Sequence, residues 1–170
     1  MISEISQMTS YYGMQAYKSA KRVAVVSSAE IAGDSSRQRQ MLFPCITREV
    51  SGSSRLSAGL VRMPGAGVSL VHRHVRSELI VVCYEGQAAT LVGPELTVHL
   101  HGPGDFVFIP EGVPHVAVNL SRTEPVLAVE ARTDPMFNDD VELLANLQPA
   151  AQRRALELQE AFALRLATAS

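Results

Sequence analysis

Between Met41 and Val129 the chain is a succession of short apolar runs: MLFPCITREV, LSAGLVRM, VSLVHRHV, ELIVVCYEG, QAATLVG, LTVHLHG, DFVFIP, PHVAVNL and VLAVEAR, with Gly, Pro or Asn punctuating most of them. Runs of about four to eight residues bounded by turn formers read as strands, and many in a row read as an all-β sandwich or barrel. No helical crossover separates them, which disfavours a parallel α/β sheet. Beyond Asp134 the period changes. Val141, Leu144 and Leu147 recur at helical spacing, and past Pro149 so do Ala151, Ala155, Leu158, Phe162 and Leu166. The pattern predicts two terminal helices, the second laying its apolar stripe on the barrel or on another subunit, with Arg153, Arg154, Glu157 and Glu160 off the stripe.

Ahead of Met41 the pattern weakens. Residues 1–22 are polar, with Tyr11, Tyr12 and Tyr17 scattered through them; Val23–Val26 suggests a strand, and Ser27–Gln40 a loop rich in Ser, Gly, Asp and Arg. The expected organisation is an N-terminal arm with one short strand (1–40), a β-barrel (41–134) and a C-terminal helical extension (135–170). At 170 residues the chain is one domain with short extensions.

Charge narrows the partners. Fifteen Lys and Arg stand against seventeen Asp and Glu, a net charge of -2, so no positive field exists to collect a phosphate backbone. No apolar stretch approaches the ~18 residues of a membrane span, and no secretory signal is expected at the N-terminus. Cys45 and Cys83 stand far apart without a CxxC spacing, which reads as two thiols in a reducing cytoplasm. There is no phosphate loop, GxSxG elbow or dinucleotide fingerprint, and GPGD at Gly102 to Asp105 is turn chemistry.

One cluster carries chemistry. On a strand His72 and His74 point to the same face, because side chains alternate with period two. Glu78 has the same parity and can return to that face if Val75 to Ser77 form a tight rise. His115 follows PEGVP, whose Pro110, Gly112 and Pro114 can aim the next strand back across the sheet. Three imidazoles and one carboxylate suit a divalent Fe, Mn, Ni, Cu or Zn, and ligand type alone does not choose among them; an all-oxygen shell would have pointed to Ca or Mg. Four protein ligands on a six-coordinate ion leave open positions, the mark of a catalytic site. His99 and His101 form a second HxH but are expected at a strand end near solvent, without a role in ligation.

Here the sequence resembles the cupin superfamily. Its second motif, G(x)5PxG(x)2H(x)3N, is matched at every fixed position by Gly104, Pro110, Gly112, His115 and Asn119. Its first, G(x)5HxH(x)3-4E(x)6G, is matched by His72, His74, Glu78 and Gly86 with two departures. Gly65 lies one residue too far from His72 and Gly67 one too near, and seven residues rather than six separate Glu78 from Gly86. The resemblance covers residues 64–120 and looks like the small single-domain RmlC-like bacterial cupins. It implies an antiparallel jelly-roll barrel with the metal inside, held by His72, His74, Glu78 and His115, and frequently a homodimer.

The reading that follows is a mononuclear metal enzyme acting on a small organic molecule, with an Fe(II) oxygenase first. A Lewis-acid isomerase, lyase or cyclase is the alternative, and a non-enzymatic metal or ligand sensor comes third. Ile80, Val82, Tyr84, Phe106 and Phe108 share parity with the metal face on their runs, and Tyr84 is the one obvious proton donor among them. Cys83 alternates away from it.

Overall fold

A computed structural model describes residues 23–169; the polar arm expected over residues 1–22 lies outside them. Eleven strands form two antiparallel sheets that face each other. They are β1 (Asp34–Ser35), β2 (Met41–Ile46), β3 (Ser57–Met63), β4 (His72–His74), β5 (Leu79–Glu85), β6 (Ala88–Val92), β7 (Thr97–His101), β8 (Phe106–Ile109), β9 (His115–Asn119), β10 (Val126–Arg132) and β11 (Val141–Leu143). One sheet runs β1-β2-β3-β10-β5-β8 and the other β11-β4-β9-β6-β7. The short α1 (Arg48–Ser51) follows β2, and α2 (Gln148–Ala169) ends the described chain.

The five-stranded sheet is covered on both faces. Ala89, Leu91, Val116 and Val118 point away from the other sheet and are fully buried with Val71, Leu96 and Leu120 under Ala151 and Ala155 of α2. Each of the larger side chains contributes about 1.5–3 kcal/mol by leaving water. Pro149 occupies the first turn of α2, where its missing N–H leaves no bond unmade. The helix is fastened at two further points: Gln148 Oε1 accepts from Val71 N at 2.8 Å, and Gln159 Nε2 donates to Asn119 O at 2.9 Å. Between the sheets lie Leu42, Val61, Met63 and Val126 of the six-stranded sheet with Ala88 of the other, and Cys83 and Phe137 complete this second core. Both cysteines are free thiols. No described helix is long and apolar enough to cross a membrane.

Three local expectations are corrected. Val23–Val26 is not a strand; the short N-terminal strand is β1, which pairs with β2 as the edge of the six-stranded sheet. The stretch from Val141 to Leu147 is not a helix. Val141–Leu143 adds to the edge of the five-stranded sheet opposite His72–His74, and a single 3-10 turn, Ala145–Leu147, leads into α2. Val141, Leu144 and Leu147 recur at helical spacing, but Val141, Leu143, Ala145 and Leu147 also alternate, so the run fits either period, and the open edge of β4 decides it.

The third concerns parity. The chain leaves one sheet after β4 and enters the other at β5, so alternation along β4 says nothing about β5. On β5 it is Leu79 and Cys83 that are buried, while Ile80 and Tyr84 are exposed. Phe106 and Phe108, beside them on β8, are 74% and 58% exposed. The residues expected to share the metal face are therefore on the outer surface, and Cys83 is inside.

Candidate metal centre

His72, His74 and His115 meet between the sheets. His72 and His115 are directly paired across β4 and β9, and two residues along β4 His74 returns to the same face. The ring centroids lie 4.2 Å apart for His72 and His115, 5.5 Å for His72 and His74, and 5.6 Å for His74 and His115. One potential ligand atom from each falls within 4.8 Å of the others, and all three residues are buried.

Each ring is held by its Nδ1. That of His72 is 2.8 Å from Leu70 O, that of His115 3.0 Å from Val113 O, and that of His74 3.0 Å from Asp140 Oδ1. Carbonyls and carboxylates accept, so every Nδ1 carries the proton and every Nε2 presents a lone pair. His74 Nε2 is buried with no hydrogen-bond partner. A buried, unpaired acceptor is costly unless something binds it. Three imidazoles with fixed tautomers and converging lone pairs fit a divalent transition metal.

The turn between β8 and β9 sets part of this geometry. Gly112 adopts φ 72°, open to glycine without strain, and its N–H donates to His74 O at 2.7 Å, tying the PEGVP turn to the strand that carries two of the imidazoles. Asn119, the last residue of the second motif, fastens the other end of β9. Its Nδ2 donates to Pro64 O and Glu124 O at 2.9 and 2.8 Å, and its Oδ1 accepts from Ser121 N.

Glu78 is not brought to the cluster. Val75 N–H donates to Asp140 O, and Arg76 N and Ser77 Oγ both donate to Asp140 Oδ2, at 3.0 and 2.8 Å. The chain thus wraps the Asp140 carboxylate instead of rising to the metal face. Glu78 emerges exposed beyond this bend, its backbone paired with Thr133. Tyr84 is 46% exposed on the outer face of β5 and lies outside the cavity lining.

The acidic groups that do serve the cluster are Asp140 and Glu130, both missed in the sequence. Asp140 fixes His74. Glu130 points inward from β10 into the space beside His72 and His115, and Arg132 of the same strand binds it through Nε at 3.1 Å and through Nη2. Arg132 also donates to Phe137 O and Asn138 Oδ1 and stacks on the Phe137 ring 4.4 Å from its centre, so its charge is fully engaged. The signal for Glu130 was present: a carboxylate in VLAVEAR at the same parity as the apolar Val126 and Ala128.

Burial depresses all three imidazoles. Desolvation, reinforced by the neighbouring rings, pushes His72 well below the usual histidine range and His115 down to about 4. Desolvation and the Arg132 charge lower His74, against the opposing pull of Asp140. All three are neutral at pH 7, the form that coordinates.

Beside the cluster lies a partly enclosed cavity. Val61, Met63, Leu79, Val81, Ala88, Ile109, Ala117, Val126 and Ala128 form its apolar wall, and Gln40, Thr90, His101 and Glu130 its polar part. His101, expected near solvent, is half-buried and lines this cavity.

Residues 59–131 match the family model of the cupin domain. Its fold is the cupin fold. The chain shares that fold with the polyketide cyclase RemF from Streptomyces resistomycificus, at 18% identity and a TM-score of 0.61, over 72% of this chain and 86% of that one. A sugar phosphate isomerase of the cupin superfamily from Silicibacter pomeroyi gives 21% identity and a TM-score of 0.53, over 65% and 75%. An oxalate decarboxylase from Lactobacillus farciminis gives 19% and 0.58, over 69% of this chain and 35% of the decarboxylase, so the chain spans about a third of that protein. Another oxalate decarboxylase, from Bacillus subtilis, carries Mn(II) centres. Comparison with curated protein sequences finds no match.

Proposed function

We propose that this protein is a mononuclear metal enzyme that acts on a small organic molecule, with iron(II)-dependent oxygenation as its reaction. The observation that supports it is the donor set: three neutral imidazoles, each with its tautomer fixed, beside an apolar cavity and with no carboxylate among them. Neutral donors leave a divalent ion its full double charge, where the carboxylate expected from Glu78 would have halved it. They favour the lower oxidation state and the uptake of an anionic oxygen donor. Bound there, iron(II) would supply dioxygen activation next to its substrate. The protein's part is to hold the imidazoles in place through Leu70 O, Val113 O and Asp140, to seat the substrate against the apolar wall, and to keep bulk water from the reacting atoms.

Anaerobic loading with iron(II), followed by oxygen-uptake measurements across a panel of small carboxylates, enols and phenols, tests the proposal. Uptake that needs both iron and a substrate and is lost in His115→Ala supports it. Uptake identical to that of His115→Ala throughout the panel overturns it.

A second reading is favoured by one observation, the Glu130 carboxylate in the cavity wall. The ion then acts as a Lewis acid, and Glu130 takes the proton-moving role expected of Tyr84 in an isomerase, lyase or cyclase. Turnover with zinc and without dioxygen, abolished by Glu130→Gln, distinguishes this reading from the first.

A further inference from the structure

Three buried side-chain atoms among the described residues lack a hydrogen-bond partner: His74 Nε2, Gln40 Oε1 and His101 Nδ1. The first belongs to the imidazole cluster. The other two belong to residues that line the adjoining cavity, Gln40 just ahead of β2 and His101 on β7 of the other sheet, and that the metal centre does not use. Gln40 is only 4% exposed, so its amide oxygen gives up water without any compensation from the protein. His101 is fixed by a 3.0 Å contact between its Nε2 and Thr90 Oγ1, which leaves Nδ1 as the free end of an oriented ring.

The strand registers place both residues away from the cluster. His101 pairs with Ala88, which pairs with Asn119, four positions beyond His115 on β9. Gln40 precedes Met41, the partner of Arg62, and so lies level with Met63, whose carbonyl Asn119 Nδ2 approaches. Thr90 lies between, opposite Ala117. At about 4.8 Å per strand and about 3.4 Å per residue, the backbone of Thr90 is roughly 8 Å from that of His115. The cavity therefore has an imidazole end and a Gln40–His101 end, with Val61, Met63, Ala88, Ala117 and Ala128 among its apolar lining.

No Lys or Arg lines the cavity, and Glu130 contributes negative charge. Arg132, which stands near, is committed to Glu130, Phe137 O and Asn138. A phosphorylated ligand would find no counter-charge from the protein. A hydroxyl suits the far end, because it can donate to Gln40 Oε1 and can either donate to or accept from a neutral imidazole.

We propose that the cavity recognises a small, non-phosphorylated, hydroxylated organic anion, its anionic oxygen at the three imidazoles and its hydroxyl end held by Gln40 and His101. The anionic end rests on the metal reading above; the hydroxyl end stands without it. Gln40 and His101 are specificity residues, and Thr90 positions His101.

The test is calorimetric titration of the zinc-loaded protein with 4-hydroxybenzoate, benzoate and phenyl phosphate. The wild type is expected to bind 4-hydroxybenzoate about tenfold more tightly than benzoate, since the analogue without the hydroxyl leaves buried polar atoms unpaired, and to bind phenyl phosphate more weakly than benzoate. In Gln40→Leu and His101→Leu the hydroxyl preference collapses towards unity, with benzoate affinity, zinc content and melting temperature retained. Thr90→Val, a smaller change that keeps both recognition groups, reduces the preference part-way and serves if either leucine variant fails to fold. Equal binding of 4-hydroxybenzoate and benzoate by the wild type, or a preference undiminished in the variants, overturns the proposal. Failure of the metal reading looks different: no zinc is retained and benzoate does not bind, yet phenol still binds the wild type more tightly than His101→Leu. No difference for phenol as well overturns the hydroxyl site too.

Discussion

Asp140 Oδ1 lies 3.0 Å from His74 Nδ1, while its other oxygen accepts from Arg76 N and Ser77 Oγ. One carboxylate thus fixes the tautomer of a candidate ligand and bends the chain behind it. Asp140→Asn keeps the size but loses the charge that favours an Nδ1–H proton. We expect its metal affinity, measured by chelator competition, to fall about 10–100-fold. Asp140→Ala should also lose stability, by about 1–3 kcal/mol in urea unfolding, because Arg76 N and Ser77 Oγ are left without their acceptor.

The location of Glu78 gives a sharper contrast. His72→Ala, His74→Ala and His115→Ala are each expected to abolish stoichiometric binding of a divalent transition metal by elemental analysis after gel filtration. Glu78→Ala should leave the metal content unchanged and shift stability by no more than about 0.5 kcal/mol, as for an ordinary surface position. Loss of metal in Glu78→Ala would place that carboxylate at the ion.

Acid should destabilise the metal-free protein. His115 titrates near 4 when folded and near 6.5 when unfolded, so between these values the unfolded chain binds more protons and stability rises with pH. The contribution is complete above about pH 6.5 and is lost as pH falls through 4; a shift of this size corresponds to roughly 3 kcal/mol. His72 and His74 are shifted in the same direction and add to the loss. Urea unfolding of chelator-treated protein at pH 4.5 and 7 checks this, and equal midpoints would contradict it.

The outer face of the six-stranded sheet predicts self-association. Ile80 pairs with Phe108 and Val82 with Phe106, and Val129 lies beside Val82, so the exposed side chains form one apolar patch continued by Tyr84. Patches of this kind on soluble domains mark contact surfaces, and a two-fold pairing of equal patches satisfies itself with a second copy. The chain is expected to sediment as a dimer and the double variant Phe106→Ser, Phe108→Ser as a monomer. A wild type that stays monomeric at high concentration would refute it.

Loading with zinc should raise the melting temperature. At a free zinc concentration 100 times the dissociation constant, binding to the folded state alone contributes about 2.7 kcal/mol. The increase should vanish in His115→Ala, as read by differential scanning calorimetry.

The strands, the turns between them and the cluster of His72, His74 and His115 were legible in the sequence, because each depends on local information. A period of two puts His72 and His74 on one face whatever surrounds them, and the glycines and prolines of GDFVFIPEGVPH fix a turn through their own backbone limits. Glu78 and Tyr84 were misplaced for a single reason: parity was carried along the chain from β4 to β5, while the bend around Asp140 moves the chain into the opposite sheet. Asp140, Gln40 and the role of His101 were hidden because their importance lies in what faces them, from positions between 11 and 66 away in sequence for the contacts that hold His101 and His74.

The sequence by itself determined an antiparallel β protein with three histidines on converging strands, since alternation and turn chemistry act over a few residues. The tertiary structure alone decided which carboxylates stand near those histidines, which aromatic residues face solvent, and which polar atoms are buried in a cavity without partners. Those properties come from the stacking of two sheets, and a side chain's neighbours across that gap are set by packing, not by its place in the chain.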